Sequence, residues 1–306
     1  MRALRVRFPN AQIDFLVATE FSEAARLLPG ITNIITFNRT EGWRGLFRLR
    51  RLLSRKYEII VDLQNSSRSA FLRTFCFPLF WSKAVRYRFK RWMLIRFKKN
   101  LYRKVKPVPL RYLSAVDSFG ALDDGGGLSL CVDFSTSPDI GRHTIVLCPG
   151  AKHFTKRWPI ENWRALAQTL RQAGYDLTIC CSGAEQPMCA PIAESGELLV
   201  DAPLENLAAR MRDAKAVVCH DSGLMHLASG VGARVVAIFG PTVEPFGFFP
   251  FRADSVVLQQ ELSCRPCTAY GGERCPLGHH DCMRMTSVDS VFNAVQRTLS
   301  VGSTNA

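Results

Sequence analysis

Four short segments in the second half of the chain carry the residues best suited to hold an anion. They are Cys148-Pro149-Gly150-Ala151 running into Lys152–Trp158, then Cys181-Ser182-Gly183-Ala184-Glu185, then His220-Asp221-Ser222-Gly223-Leu224-Met225-His226, and last Gly240-Pro241-Thr242. Each follows an apolar run that reads as a strand, and the first three precede a stretch of helical periodicity. A helix start presents free N–H groups and a partial positive charge, so a phosphate can dock there without a dedicated cation. Lys152, Lys156 and Arg157 add charge beside the first segment. In open α/β sheets ligands collect beyond the carboxyl ends of the strands, which is where all four segments fall.

The same residues have plainer uses. Asp221 or Ser222 could be an ordinary N-cap, worth ~1 kcal/mol. His226 lies four residues after Ser222, on the same helical face, where a lone histidine is more often a core residue with satisfied nitrogens. Serine, histidine and aspartate together invite a hydrolase reading, but there is no G-x-S-x-G elbow. The chain also has no G-x-x-x-x-G-K-[ST] and no G-x-G-x-x-G, so P-loop and dinucleotide readings lack their main support.

A second group of reactive side chains lies further on. Cys264-x₂-Cys267-x₇-Cys275-x₆-Cys282, with His279 and His280 between, has ligand-like spacing for Zn²⁺ or an iron–sulfur site. A reduced or disulfide-linked loop would account for the same spacing. No cofactor is required by the sequence. Mg²⁺ is left as an aid to turnover, with no Asp-x-Asp motif to hold it.

The elements that must position these residues alternate in the manner of parallel α/β units. Ala11–Ala18, Asn33–Phe37 and Tyr57–Leu63 read as strands, with helices near Glu20–Leu28 and from about Gly42 to Lys56. The pattern restarts with a strand at His143–Cys148 and a helix at Pro159–Ala173, whose apolar face is Trp163, Leu166, Ala167 and Leu170. Strands follow at Tyr175–Cys181, Ala216–Cys219 and Arg234–Phe239. Helices are expected after Glu185, at Leu204–Arg212, at Gly223–Gly230 and at Val288–Leu299. The fold class is therefore α/β, with two Rossmann-like domains facing across a cleft. They span residues 1–122 and 143–306, joined by a Gly- and Pro-containing linker at 123–142.

Charge is distributed unevenly over the 306 residues. The net charge is +14, yet Leu63–Val116 contains no Asp or Glu and fourteen Lys or Arg, so that segment carries the whole excess. Such asymmetry points to an anionic partner, whether nucleic acid, anionic lipid or a phosphorylated small molecule. Aromatic residues interleaved with the basic ones would suit a nucleic-acid-binding module, which predicts steeply salt-dependent oligonucleotide binding. The anion-binding segments argue against that module, and no nucleic acid is expected. Local structure within the basic segment is not assigned by any pattern. No run approaches the ~18–20 apolar residues of a membrane span, and the first residues lack a signal-peptide core. A cytoplasmic location and reduced cysteines are expected.

Together these segments carry a family likeness. PGAKHFTKRWPIENW, SGAEQ and HDSGLMHLASGVGARVVAIFGPT resemble glycosyltransferase family 9, the bacterial ADP-heptose:lipopolysaccharide heptosyltransferases of GT-B fold. ALRVRFPNAQIDFLVA and YEIIVDLQNSSRSAFL extend the resemblance over nearly the whole chain. The tail LSCRPCTAYGGERCPLGHHDCM is most similar to the heptosyltransferase II branch. The resemblance implies ADP-heptose as donor, with Lys156 on its phosphate, Glu185 at the ribose and Asp221 at the heptose. Ser222, Gly223 and His226 match the loop and helix start around the pyrophosphate, and Gly240 and Thr242 complete the donor set. The implied acceptor is Kdo-lipid A or a heptosylated inner core on an anionic membrane surface. Arg68 and Lys83 of the basic segment are acceptor-side candidates.

One departure carries a further expectation. The family begins with a strand and a Gly-Asp turn whose aspartate is the general base, whereas this sequence starts inside the following helix at Met1-Arg2-Ala3-Leu4-Arg5. Asp14 is no substitute, because it lies in the next strand. A chain without the base is expected to bind donor but to be catalytically impaired, a nucleotide-sugar-binding relic, losing a typical ~10²–10⁴-fold contribution. Its N-terminal sheet is expected to lack the first, central strand.

Overall fold

Runs of β-branched and aliphatic residues spaced by helical segments build two α/β units, as the pattern leads one to expect. The computed structural model describes residues 1–134, 143–194 and 196–300. The chain divides into one unit of Met1–Arg88 with Lys106–Gly126, and a second of Phe89–Val105 with Gly127 onward. Of the expected linker, residues 135–142 lie outside the described residues, as do 301–306 of the second domain.

The first unit contains helix α1 (Arg2–Arg7), strand β1 (Asp14–Ala18), α2 (Ser22–Arg26), β2 (Asn33–Phe37) and α3 (Gly42–Leu53). It continues with β3 (Ile59–Asp62), α4 (Ser67–Phe75) and β4 (Phe80–Lys83). The strands form two separate parallel pairs, β1 with β2 and β3 with β4. Among the described residues no ladder joins β1 to β3. Leu46, Leu49 and Leu53 of α3 pack with Leu72 and Cys76 into a small core. Arg5 ties α1 to the turn before β2, donating to the carbonyls of Pro9, Ala11 and Gly30 at 2.7–3.0 Å.

The basic segment, unassigned from its pattern, supplies α4, β4, α5 (Arg88–Phe97) and α6 (Val108–Leu113). The sequence reading ends the first domain at residue 122, but Phe89–Val105, which includes nearly all of α5, clusters with the second unit. The Arg91 guanidinium lies 4.9–5.4 Å from the rings of Phe246, Phe248 and Tyr270. Lys98 Nζ donates to the carbonyls of Cys264 and Pro266. These contacts link residues so far apart in sequence that no local pattern could report them.

The second unit is a six-stranded parallel sheet ordered β10-β9-β8-β5-β6-β7. The strands are β5 (Thr144–Cys148), β6 (Asp176–Cys181), β7 (Glu197–Val200), β8 (Ala216–His220), β9 (Val235–Phe239) and β10 (Ser255–Gln259). Every residue of β5, β8 and β9 is buried, as expected for parallel strands covered on both faces. Helices α7 (Ile160–Gln172), α8 (Gln186–Ala193), α9 (Leu204–Asp213), α10 (Gly223–Gly230), α11 (Asp281–Arg284) and α12 (Val288–Ser300) complete the unit. The face expected for α7, Trp163, Leu166, Ala167 and Leu170, is its buried face. It joins Val291, Ala294 and Val295 of α12 in one core. Strand order reverses at β5, which has β6 on one side and β8 on the other. No helix among the described residues is long and apolar enough to cross a membrane.

Candidate functional site

The loops that leave β5 and β8 diverge at this reversal, the usual place for a ligand crevice in such a sheet. Lys156, at the end of a short 3₁₀ turn after β5, meets Asp221, the first residue after β8. Its Nζ lies 2.6 Å from Asp221 Oδ2 and 3.0 Å from the Asp221 carbonyl. Both side chains are largely buried, at 11% and 6% exposure. Thr242, after β9, donates its hydroxyl to the same Oδ2 at 2.6 Å. Three strand ends thus converge on one carboxylate.

Ser222 occupies the N-cap position of α10 but makes no side-chain capping bond. Its Oγ is buried and unpartnered. The plain N-cap reading of Ser222 fails here, and so does that of Asp221, whose carboxylate faces Lys156 and Thr242. Gly223 is exposed, and a Cβ there would meet nothing within 4 Å, so the helix start is open. His226, one turn on, is half-buried. Burial lowers its pKa, and the charges of Asp221 and Lys156 both reach it.

A buried histidine braces this geometry. The Trp158 backbone N–H donates to His220 Nε2 at 2.9 Å, which leaves the ring proton on Nδ1, 3.3 Å from the Gly150 carbonyl. Burial holds the ring neutral, with its pKa lowered to about 4. Gly150 in turn lies against Glu185, where a Cβ would collide with the carboxylate. Glu185 Oε2 accepts from the Ser182 backbone N–H and hydroxyl at 3.1 and 2.8 Å. Glu185 therefore stands beside the β5 loop, one strand over from the Lys156–Asp221 pair. Gly240 is closely packed too: a Cβ would lie 2.5 Å from Met283 Sδ and 3.0 Å from the Thr155 carbonyl.

Sequence reasoning missed the part that two residues play in shaping the site. Arg265 donates to the carbonyls of Gly240 and Thr242, holding the β9 loop in place. Its only signal was its setting between Cys264 and Cys267. His220 was read as the first residue of the segment that follows Ala216–Cys219, and only its ring contacts show that it braces the loops.

The structure places the remaining candidates elsewhere. Cys264, Cys267 and Cys275 are half-buried and Cys282 is buried, all as free thiols. Burial raises the Cys267 thiol and pushes Cys282 up to about 11. Among the described residues no three His, Cys, Asp or Glu side chains gather as a metal site. Arg68, in the first turn of α4, and Lys83, ending β4, are exposed in the first unit. Asp14 is sealed in by Tyr57, Asn33 and Gln12, which donate to it at 2.5–3.0 Å. Burial raises its pKa, but these bonds and Lys56 outweigh that and hold it low. It is a structural carboxylate.

A doubly covered parallel sheet with a lysine, an open helix start and a buried unpartnered hydroxyl at its reversal defines an α/β protein of the Rossmann-like kind. The sequence profile of glycosyltransferase family 9 (heptosyltransferase) matches residues 46–276, and the chain belongs to that family. It is similar to lipooligosaccharide heptosyltransferase 2 of Haemophilus influenzae, 24% identical over 78% of this chain and 77% of that one. The fold is also that of a glycosyltransferase family 9 protein from Veillonella parvula, with a TM-score of 0.78 at 20% identity, covering 98% and 92% of the two chains. Escherichia coli heptosyltransferase WaaC, solved with ADP, aligns with a TM-score of 0.71 at 18% identity over 97% and 93%. The architecture is GT-B and the chain is a glycosyltransferase.

Proposed function

We propose that this glycosyltransferase is an inverting enzyme that moves heptose from ADP-heptose to the lipopolysaccharide inner core, on Kdo-lipid A or its heptosylated form. The observation that carries the donor half is the Lys156–Asp221 pair beside the open start of α10. Lys156 and the first N–H groups of α10 face the diphosphate bridge. The Ser222 hydroxyl, otherwise buried without a partner, donates to a phosphate oxygen. Asp221 accepts from sugar hydroxyls, and Glu185 Oε1 accepts from the ribose.

In the transfer, the bond from the anomeric carbon to the phosphate oxygen breaks while the acceptor oxygen bonds from the opposite face, and its hydroxyl proton passes to solvent water, a step slowed where the family's general base is missing. Charge develops on the departing ADP oxygen, and a fixed cation in a largely buried setting stabilises it without reorganisation. No resident cofactor is needed, and Mg²⁺ enters only as a counter-ion to the diphosphate. The acceptor is membrane-anchored, so the enzyme works at the cytoplasmic face against an anionic membrane surface, with Arg68 and Lys83 on the acceptor side.

Calorimetric titration with ADP-heptose against UDP- and GDP-sugars tests the reading. Saturable binding of the ADP conjugate is expected, weakened at least ~10-fold by Lys156→Ala and by Asp221→Ala. Absence of saturable binding by the folded protein would sink it.

A further inference from the structure

The first unit exposes a face that neither the donor site nor the fold requires. Helix α3 turns Gly45, Leu46, Leu49 and Leu53 inward. Its outer surface carries Trp43 and Phe47, one turn apart, at 58% and 54% exposure. Helix α4 adds Phe71 and Phe75, again one turn apart, with Phe75 41% exposed. The four rings form a connected ladder. Phe71 lies 5.7 Å from Trp43, 5.2 Å from Phe47 and 4.9 Å from Phe75. Phe71 also packs on the core beneath, so the ladder is anchored rather than loose.

Cations frame the ladder. Arg44, Arg48 and Arg51 are exposed on α3 and Arg68 on α4, while Arg50 lies over the Phe75 ring at 5.4 Å. Between Gly42 and Val116 the sequence has twenty Lys or Arg and only two acids, Glu58 and Asp62. Asp62 is buried against Arg73. Glu41, just before α3, is paired to Arg48.

We propose that this α3–α4 face docks the enzyme on an anionic phospholipid bilayer, with Trp43, Phe47 and Phe75 at the interface and the arginines on lipid phosphates. A cluster of exposed aromatic residues marks an interaction surface. Rings that partition to the water–lipid boundary beside Arg are the chemistry of an interfacial helix. Charge complementarity selects the bilayer over a second copy of this chain, whose matching face would bring like charges together. The inference rests on the membrane-anchored acceptor proposed above and assigns that contact to a definite surface of the first unit.

The test is sedimentation of the full chain with vesicles of phosphatidylcholine alone or mixed with phosphatidylglycerol, with ADP titrated on the same samples. Expected is binding to the mixed vesicles and little to the neutral ones. Trp43→Ser with Phe47→Ser should weaken it at least ~10-fold, and Arg44→Glu with Arg48→Glu should do likewise. Both variants change exposed side chains and should keep wild-type ADP affinity, which separates this proposal from the donor reading. Equal binding to neutral vesicles, or binding untouched by Trp43→Ser with Phe47→Ser, overturns it. So does loss caused instead by Phe89→Ser with Trp92→Ser on α5. A dimer in solution that the Trp43–Phe47 variant dissolves would assign the face to a protein partner and likewise reject the proposal.

Discussion

At the residue scale the site turns on one ion pair and one idle hydroxyl. Lys156 and Asp221 are each other's partner in a largely buried place, so removing one leaves the other uncompensated, typically at ~3–5 kcal/mol. Their variants therefore need a melting curve beside every binding curve. Ser222 is different. Because its Oγ has no partner, Ser222→Ala is expected to shift stability by less than ~0.5 kcal/mol while weakening ADP-heptose binding severalfold. Unchanged affinity in calorimetry would remove Ser222 from the donor set. His220 makes a prediction in pH. Burial lowers its pKa to about 4 from 6.5, so as pH falls the unfolded chain takes up that proton first. The stability it contributes, on the order of 3 kcal/mol, is complete above pH 6.5 and is lost as pH drops toward 4. Denaturant melts across that range should show the loss, and His220→Asn should flatten it.

At the element scale the loops after the strands matter more than the strands. Gly240 sits where β9 ends, hemmed by Met283 Sδ and the Thr155 carbonyl. Met283 can swing aside but the carbonyl belongs to the turn that carries Lys156. Gly240→Ala is accordingly expected to cost ~1–3 kcal/mol and to weaken donor binding, read by thermal melting and titration. The helices were legible to different degrees for a physical reason. The face of α7 was readable because its apolar residues recur at helical spacing against a buried sheet. In α4 and α5 aromatic and basic residues lie on exposed faces as well as buried ones, so no clean period survives. The short strands β7 and β10, at the sheet's two edges, also gave too little alternation to be recognised.

At the scale of the whole molecule the two units differ in how their strands are held. β5, β8 and β9 are wholly buried inside a six-stranded sheet, whereas β1 to β4 form two pairs whose residues are mostly half-exposed. A two-stranded sheet is marginal on its own. Hydrogen exchange should therefore release the amides of β1 and β3 at least ~100-fold faster than those of β5 and β8. Equal protection would mean that the first unit's pairs are stabilised by something other than their own ladders. The path of the chain follows the same logic. Phe89–Val105 belongs with the second unit because Arg91 and Lys98 find their partners there, not because of any boundary signal in composition.

The amino-acid sequence by itself determined the α/β class, the strand-end segments of the candidate site and the family, because periodicity and local motifs are properties of neighbouring residues. It also marked Lys156, Glu185, Asp221 and Ser222 as candidates. Only the tertiary structure decided that Lys156 and Asp221, sixty-five positions apart, close on each other at 2.6 Å. It alone showed that the Ser222 hydroxyl is left without a partner and that α5 joins the second unit. Those outcomes depend on which strands lie side by side, and strand order is set by burial across the whole sheet rather than by any one segment.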